Sequence, residues 1–308
     1  MSLALLLEQS LNGLQLGVML FLMAAGLTLV FGIMQVINLA HGSLFMVGAY
    51  VCASTYAFTH NIWQAAAAAL IAAMALGVVL ELAVFRTLYE RDHLDQVLAT
   101  FGLIMIFNEL ARTIWGAAAI GAAVPDIARG HVQVMPGVEY PVYRLLILAV
   151  GLITALVLYG TISWTRLGML IRAGASNRWM VTAMGVNVRM LYTIVFAAGA
   201  TLSALAGLMA APLLTVEPGM GEGPLISAFV VIVIGGIGSI RGALVAAIFV
   251  GLVDTLGRIG LNPLLSKLMS VQAAQTVGPA ISSMLIYVLM AVVLFFKPLG
   301  LFPPRGRQ

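Results

Sequence analysis

The sequence predicts an all-α, polytopic integral membrane protein with eight or nine transmembrane or re-entrant helices and one short helix on the cytoplasmic side. Three observations carry that prediction. Of 308 residues, 62% are hydrophobic and only 8% charged, and the mean hydropathy of +1.09 lies far above soluble globular chains. The apolar residues fall in runs long enough, at about 1.5 Å per residue, to cross a hydrocarbon core of roughly 30 Å. The basic residues collect in the gaps between runs, with a bias to one side.

Taken in order, the first span is Asn12–Ile33, 22 almost wholly apolar residues. The preceding MSLALLLEQS has no basic n-region, and Glu8 interrupts its apolar run, so no cleaved signal peptide is expected. In NLAHGSLFMVGAY, Asn38–Tyr50, the polar Asn38, His41 and Ser43 surround Gly42, which predicts a broken or re-entrant backbone. Further runs cover Leu44–Phe58, Ile62–Phe85, Val97–Trp115, Tyr143–Ser163, Leu191–Ala211, Ile226–Ile237, Ala243–Ile259 and Val277–Phe296. If Arg86, Arg91, Arg166, Arg172, Arg178, Arg189, Arg241, Lys297, Arg305 and Arg307 share one side, that side holds ten of the fifteen basic residues and is cytoplasmic. The outward loops are then 117–142, with Asp126, Arg129 and Glu139, and 212–224, with Glu217 and Glu222. The N-terminus falls outside and the C-terminus inside; a count of eight would move the N-terminus. Residues 1–308 form a single transmembrane domain.

The longest polar, arginine-bearing block is Thr165–Asn187, TRLGMLIRAGASNRWMVTAMGVN. Ser176 is a candidate N-cap, Gly185 a permissive residue past a helix end, and Trp179, Met180, Ala183 and Met184 share one face between them. So short a helix is not stable alone, and its apolar stripe calls for another protein to dock into. A polar break also recurs, at Asn38–Ser43 and at IGGIGSIRGA, Ile234–Ala243. Paired interruptions point to a polar path through the membrane, with Asn38, His41, Gly42, Gly235, Gly236 and Gly238 along it. Glycine-rich helix ends at the interface are the plainer alternative. Glu109 with Arg112, Asp254 with Arg258, and Glu81 with Arg86 read as locally neutralised structural pairs.

Several chemistries are excluded. Neither lysine, Lys267 or Lys297, follows a glycine, so no P-loop for ATP exists; HExxH, CxxC and GxSxG are absent too. Four scattered histidines make no metal set, and Cys52 alone forms no internal disulfide. The net charge of +4, without a dense basic cluster, argues against nucleic acid as a partner.

NLAHG with the following MVGAY, the RLG, RA and MGVN elements of the polar block, IGGIGSIRGA, and the terminal KPLGLFPP occur in the order and spacing of a known family. On these motifs, across nearly its whole length, the chain resembles the LivH-like permease subunit of branched-chain amino acid type ABC importers. The resemblance implies that residues 165–189 are a coupling loop resting on a nucleotide-binding subunit, with Arg172, Ala173, Met180, Gly185 and Asn187 at matching positions. Ser176 and Met184 belong to the same surface. It implies two cytoplasmic ATPase subunits, a second LivM-like permease and a periplasmic binding protein as partners in the bacterial inner membrane. ATP and Mg would then be bound by the ATPases, with no cofactor in this chain. Glu217 and Glu222 are the candidates for docking the binding protein. Two departures alter charge complementarity to the ATPase: Ser176 and Asn177 stand where many relatives carry an acidic residue, and Met169 where a basic one is common. An ion-coupled secondary transporter, with His41, Glu109 or Asp254 as coupling residue, is the alternative; an intramembrane enzyme lacks a catalytic pair.

Overall fold

The computed structural model describes residues 3–135, 138–267 and 270–302. Pro303, Pro304, Arg305 and Arg307, used above for the terminal motif and the orientation, lie outside the described residues. The elements are α1 (Leu3–Met34), α2 (His41–Thr59), α3 (Ile62–Leu88), α4 (His93–Trp115), a hairpin of β1 (His131–Met135) and β2 (Val138–Pro141), α5 (Val142–Trp164), α6 (Arg166–Ser176), α7 (Arg178–Ala183), α8 (Val188–Ala210), α9 (Glu222–Gly235), α10 (Ile240–Leu265) and α11 (Val271–Phe296). Among the described residues, seven helices are long and apolar enough to cross a membrane. The 19-residue α2 and 14-residue α9 bring the embedded set to nine, within the expected count.

Glycine and alanine decide how these helices meet. Without a hydrophobic drive between helices in lipid, packing relies on close backbone approach, which small residues permit. Along the antiparallel pair α1 and α10, a Cβ on Gly13 would lie 3.0 Å from the Gly251 carbonyl oxygen, and one on Gly17 2.7 Å from that of Ala247. On α3, Gly77 sits against Ala197 and Ala200 of α8. The buried stripe Ala65, Ala69 and Ala73 of α3 has its counterpart in Ala243, Ala247 and Gly251 of α10.

These correspondences extend to a pseudo-twofold, inverted repeat in which α1, α2 and α3 match α8, α9 and α10. The long helices α1 and α8 cross antiparallel where Gly26 and Gly199 face each other's carbonyls. The helices that follow each break meet the same way: Gly42 and Gly221 lie against one another's backbone. Asn61 caps α3, accepting from the Trp63 and Gln64 amides, as Ser239 caps α10 by accepting from Gly242. The structural partner of the NLAHGS break is therefore the loop ending at EPGMGE, residues 217–222, and not IGGIGSIRGA. The echo at residues 234–243 corrects to a tight turn between α9 and α10; its glycines mimic the first break in composition, whereas position in the repeat follows helix order.

The turn is built for closeness. Gly236 and Gly238 take φ of 99° and 88°, accessible to glycine at little cost, and Gly235 packs on the backbone of Gly242. The terminal segment folds back over it: Leu301 donates its amide to the Ile234 carbonyl at 2.8 Å and Phe302 donates to Gly235 at 3.0 Å. These bonds satisfy carbonyls at the end of α9 that no helical turn can reach. Two of the sequence motifs, IGGIG and KPLGLF, thus meet in space.

At the same end, α3 contains a π-helical turn, Glu81–Phe85, a local widening often found where function is built. Glu81 is fully buried. Its carboxylate accepts from Thr193 Oγ1 at 2.6 Å and Tyr89 Oη at 3.1 Å, and pairs with Arg86 at 3.3 Å, as the sequence predicts. Burial, then the neighbouring Glu81 charge, pushes the Tyr89 hydroxyl well above the usual tyrosine range. The two other predicted pairs form as well, Asp254 with Arg258 at 2.9 Å and Glu109 with Arg112 at 4.0 Å.

Candidate functional site

The block from Thr165 to Asn187 is a pair of helices at the end of the bundle where α5 stops and α8 begins. Thr165 caps α6 by accepting from the Gly168 amide at 3.1 Å. A Cβ on Gly168 would lie 2.3–2.5 Å from the Thr161 and Ile162 backbone, so the RLG glycine is what lets the chain reverse directly out of α5. α6 ends where Asn177 turns extended, with φ of −153°, and the Asn177 side chain accepts from the Met180 amide at 3.0 Å to start α7. The N-cap is thus Asn177 and not Ser176. Ser176 is still helical, and the one-residue offset follows from α6, which the two glycines in its sequence, Gly168 and Gly174, hide from a propensity reading.

The far end of α7 closes as expected at Gly185, with φ of 82°. Its amide donates to Thr182 at 3.0 Å and that of Val186 to Val181 at 3.3 Å, the paired bonds of a Schellman ending. Asn187 then caps α8 by accepting from Met190 at 3.1 Å. Val181 points inward, while Trp179, Met180 and Met184 are 76%, 60% and 77% exposed. Arg172 is exposed on α6, and Ala173 receives the amide of Asn177. A cleft of about 320 Å³ between the end of α1 and this block is lined by Ile33, Met34 and Gln35 with Gly174, Asn177 and Trp179. The arrangement offers an exposed apolar projection that contacts α1, α5 and α8 directly.

The second feature lies within the membrane. Asn38 and His41 are fully buried; among the described residues neither Asn38 amide atom has a hydrogen-bond partner, and the His41 ring meets the Met23 backbone. Backbone surrounds His41: its carbonyl accepts from Ser203 of α8 at 2.9 Å, and its ring lies against Gly26. Gln96, unremarked in the sequence, holds this break to the neighbouring turn. Its Oε1 accepts from the Ile37 amide at 3.4 Å, and its Nε2 donates to the Leu88 and Arg91 carbonyls at 3.2 and 3.1 Å.

Of the predicted path residues, Gly42 lies against the start of α9 and His41 packs on α1 and α8, whereas Gly235, Gly236 and Gly238 lie at the turn between α9 and α10, where Gly238 touches Gly32. Glu217 is exposed in the loop between α8 and α9, next to Val216, whose backbone pairs with Ile120. Glu222 begins α9 and accepts a 2.9 Å hydrogen bond from Asn108 of α4. Neither the Asn108–Glu222 nor the Glu81–Thr193 contact is visible in sequence, since the partners lie 114 and 112 positions apart.

A profile of the family described as "Branched-chain amino acid transport system / permease component" matches residues 9–294. The chain is similar to the high-affinity branched-chain amino acid transport system permease protein BraD of Pseudomonas aeruginosa, 28% identical over 312 residues, covering 96% of this chain and 95% of that one. It is similar also to the LivH permease proteins of Salmonella typhimurium and Escherichia coli, each 28% identical over 264 residues, covering 81% of this chain and 85% of theirs. No solved structure matches.

Proposed function

Because the chain belongs to the branched-chain amino acid transport system permease family, we propose that it is the membrane-spanning subunit of an ATP-driven importer, moving branched-chain or related small amino acids across the bacterial inner membrane. It is a multi-pass membrane protein and a transport component. Hydrolysis of ATP, with its Mg, falls to two cytoplasmic ATPase subunits; a second permease completes the membrane part, and a periplasmic binding protein delivers substrate to the outward loops near Glu217. The path includes Asn38, His41 and Gly42.

The observation that carries this reading is the exposed apolar face of α7 in a chain with no nucleotide-binding motif of its own. Arg172, Ala173, Ser176, Met180, Met184, Gly185 and Asn187 are the coupling surface. Closure of the ATPases moves α6 and α7, and rigid-body tilting of the helices joined to them opens the path alternately to the two sides. Mass spectrometry of the gently purified, tagged chain tests this: P-loop ATPases and a second permease should accompany it. A chain that purifies alone and accumulates amino acid in liposomes under an ion gradient without ATP would replace this reading with secondary transport.

A further inference from the structure

The sequence places Glu222 among the candidate binding-protein contacts, and the fold gives it a different setting. Its hydrogen-bond partner Asn108 lies two helical turns before Trp115, the last residue of the candidate span α4, or about 10 Å along the helix from that end. The helix it opens, α9, has only 14 residues, or about 21 Å, which spans the remaining depth to the cytoplasmic turn. The loop before it has therefore dipped inward to reach Gly42. Despite this depth Glu222 is exposed on the surface of the chain, and among the described residues no cation pairs with it. The Asn108 amide donates to the carboxylate at 2.9 Å and leaves its second oxygen free to meet a ligand.

Arg112, one turn from Asn108 on the same face, places a charge beside it, with the exposed Met105 about one turn to the other side. Glu109 and Arg112 are both exposed there, and their ion pair is long, at 4.0 Å. The opposite flank carries the exposed Ile106 and Leu110. A charged group at this depth does not face lipid. From this asymmetry, and resting on the importer reading above, we propose that the α4–α9 flank is a wall of the water-filled substrate path, and that Glu222, oriented by Asn108, is the residue that receives the α-ammonium of the amino acid. The site takes primary ammonium compounds and disfavours solutes lacking that charge.

Thiol accessibility tests the wall without reference to substrate. In a Cys52→Ala background, with the complete transporter in spheroplasts, the Glu222→Cys and Asn108→Cys thiols should react with a cationic, membrane-impermeant thiosulfonate, and the Ile106→Cys thiol should not. Failure of Glu222→Cys to react, with the protein present in the membrane, overturns the proposal. The ammonium role is read in proteoliposomes holding the complex and its binding protein, fed L-leucine and ATP. Glu222→Gln should lower uptake by about tenfold while binding-protein-stimulated ATP hydrolysis persists, and Glu222→Asp should recover part of the loss. Unchanged uptake in Glu222→Gln ends the ammonium role. A wild-type complex that moves no leucine rejects both the substrate class and that role, and the labelling then decides for or against the wall alone.

Discussion

Glycine serves opposite purposes where α2 and α9 begin and in the block 165–187. At the crossing, Gly42 and Gly221 have no room for a side chain: a Cβ on either would lie 2.6 or 1.9 Å from the other's carbonyl oxygen. In the block, Gly185 has nothing within 4 Å of such a Cβ, and its φ of 82° is what calls for glycine. One site is fixed by contact across the fold, the other by local backbone conformation. A region held by contact fails when anything is added. A region held by caps weakens in small steps and keeps its outer face available to a partner.

The sharpest way to break this comparison is Gly42→Val or Gly221→Val. Backbone cannot withdraw as a side chain would, so each should cost more than about 3 kcal/mol and abolish recovery of folded protein in mild detergent. A normally folded variant at either site would mean that the two helix starts do not meet. Next in size, Met180→Glu combined with Met184→Glu should leave thermal stability unchanged yet reduce coupled transport about tenfold or more, as expected for charge placed on a docked apolar face. Melting and uptake measured on the same preparation separate the two effects.

Smaller losses distinguish the caps. Asn177→Ala should destabilise the block by about 1 kcal/mol, and Ser176→Ala should not, since Asn177 carries the hydrogen bond to Met180. Gly185→Ala should cost about 1 kcal/mol through its backbone conformation alone. Limited proteolysis of the loop between α5 and α8 reports both. The smallest effect belongs to Gly223, two residues from Gly221 but with open space around it; Gly223→Ala should shift stability by no more than about 0.5 kcal/mol.

The crossing and the block are also unequally legible in the sequence. Local signals are readable in place: the apolar runs, the Gly185 ending and the apolar face of α7 all depend on residues within a few positions of one another. The N-cap slips from Ser176 to Asn177 because both residue types cap well, and only the extent of α6 separates them. The inverted repeat is misread from sequence because IGGIG shares glycine content with NLAHG, whereas EPGMGE, its partner in space, shares little beyond Gly221. Glu222 looks like part of an outward loop because the inward dip of residues 217–221 is set by packing on Gly42. The hairpin of β1 and β2, with Val138 and Tyr140 turned inward, lies in a stretch expected only as loop; four-residue alternation is too short to announce a strand.

The bonds from Leu301 and Phe302 to the end of α9 also have a consequence for biosynthesis. The donors leave the ribosome only after α10 and α11, so while those two helices are being inserted the last carbonyls of α9 must rely on water or on the insertion machinery. The turn they close is finished only once α11 has been followed by residues 297–302. Closure of this turn is thereby tied to synthesis of α11 and the segment after it, and a product arrested before Leu301 keeps an unfinished helix end.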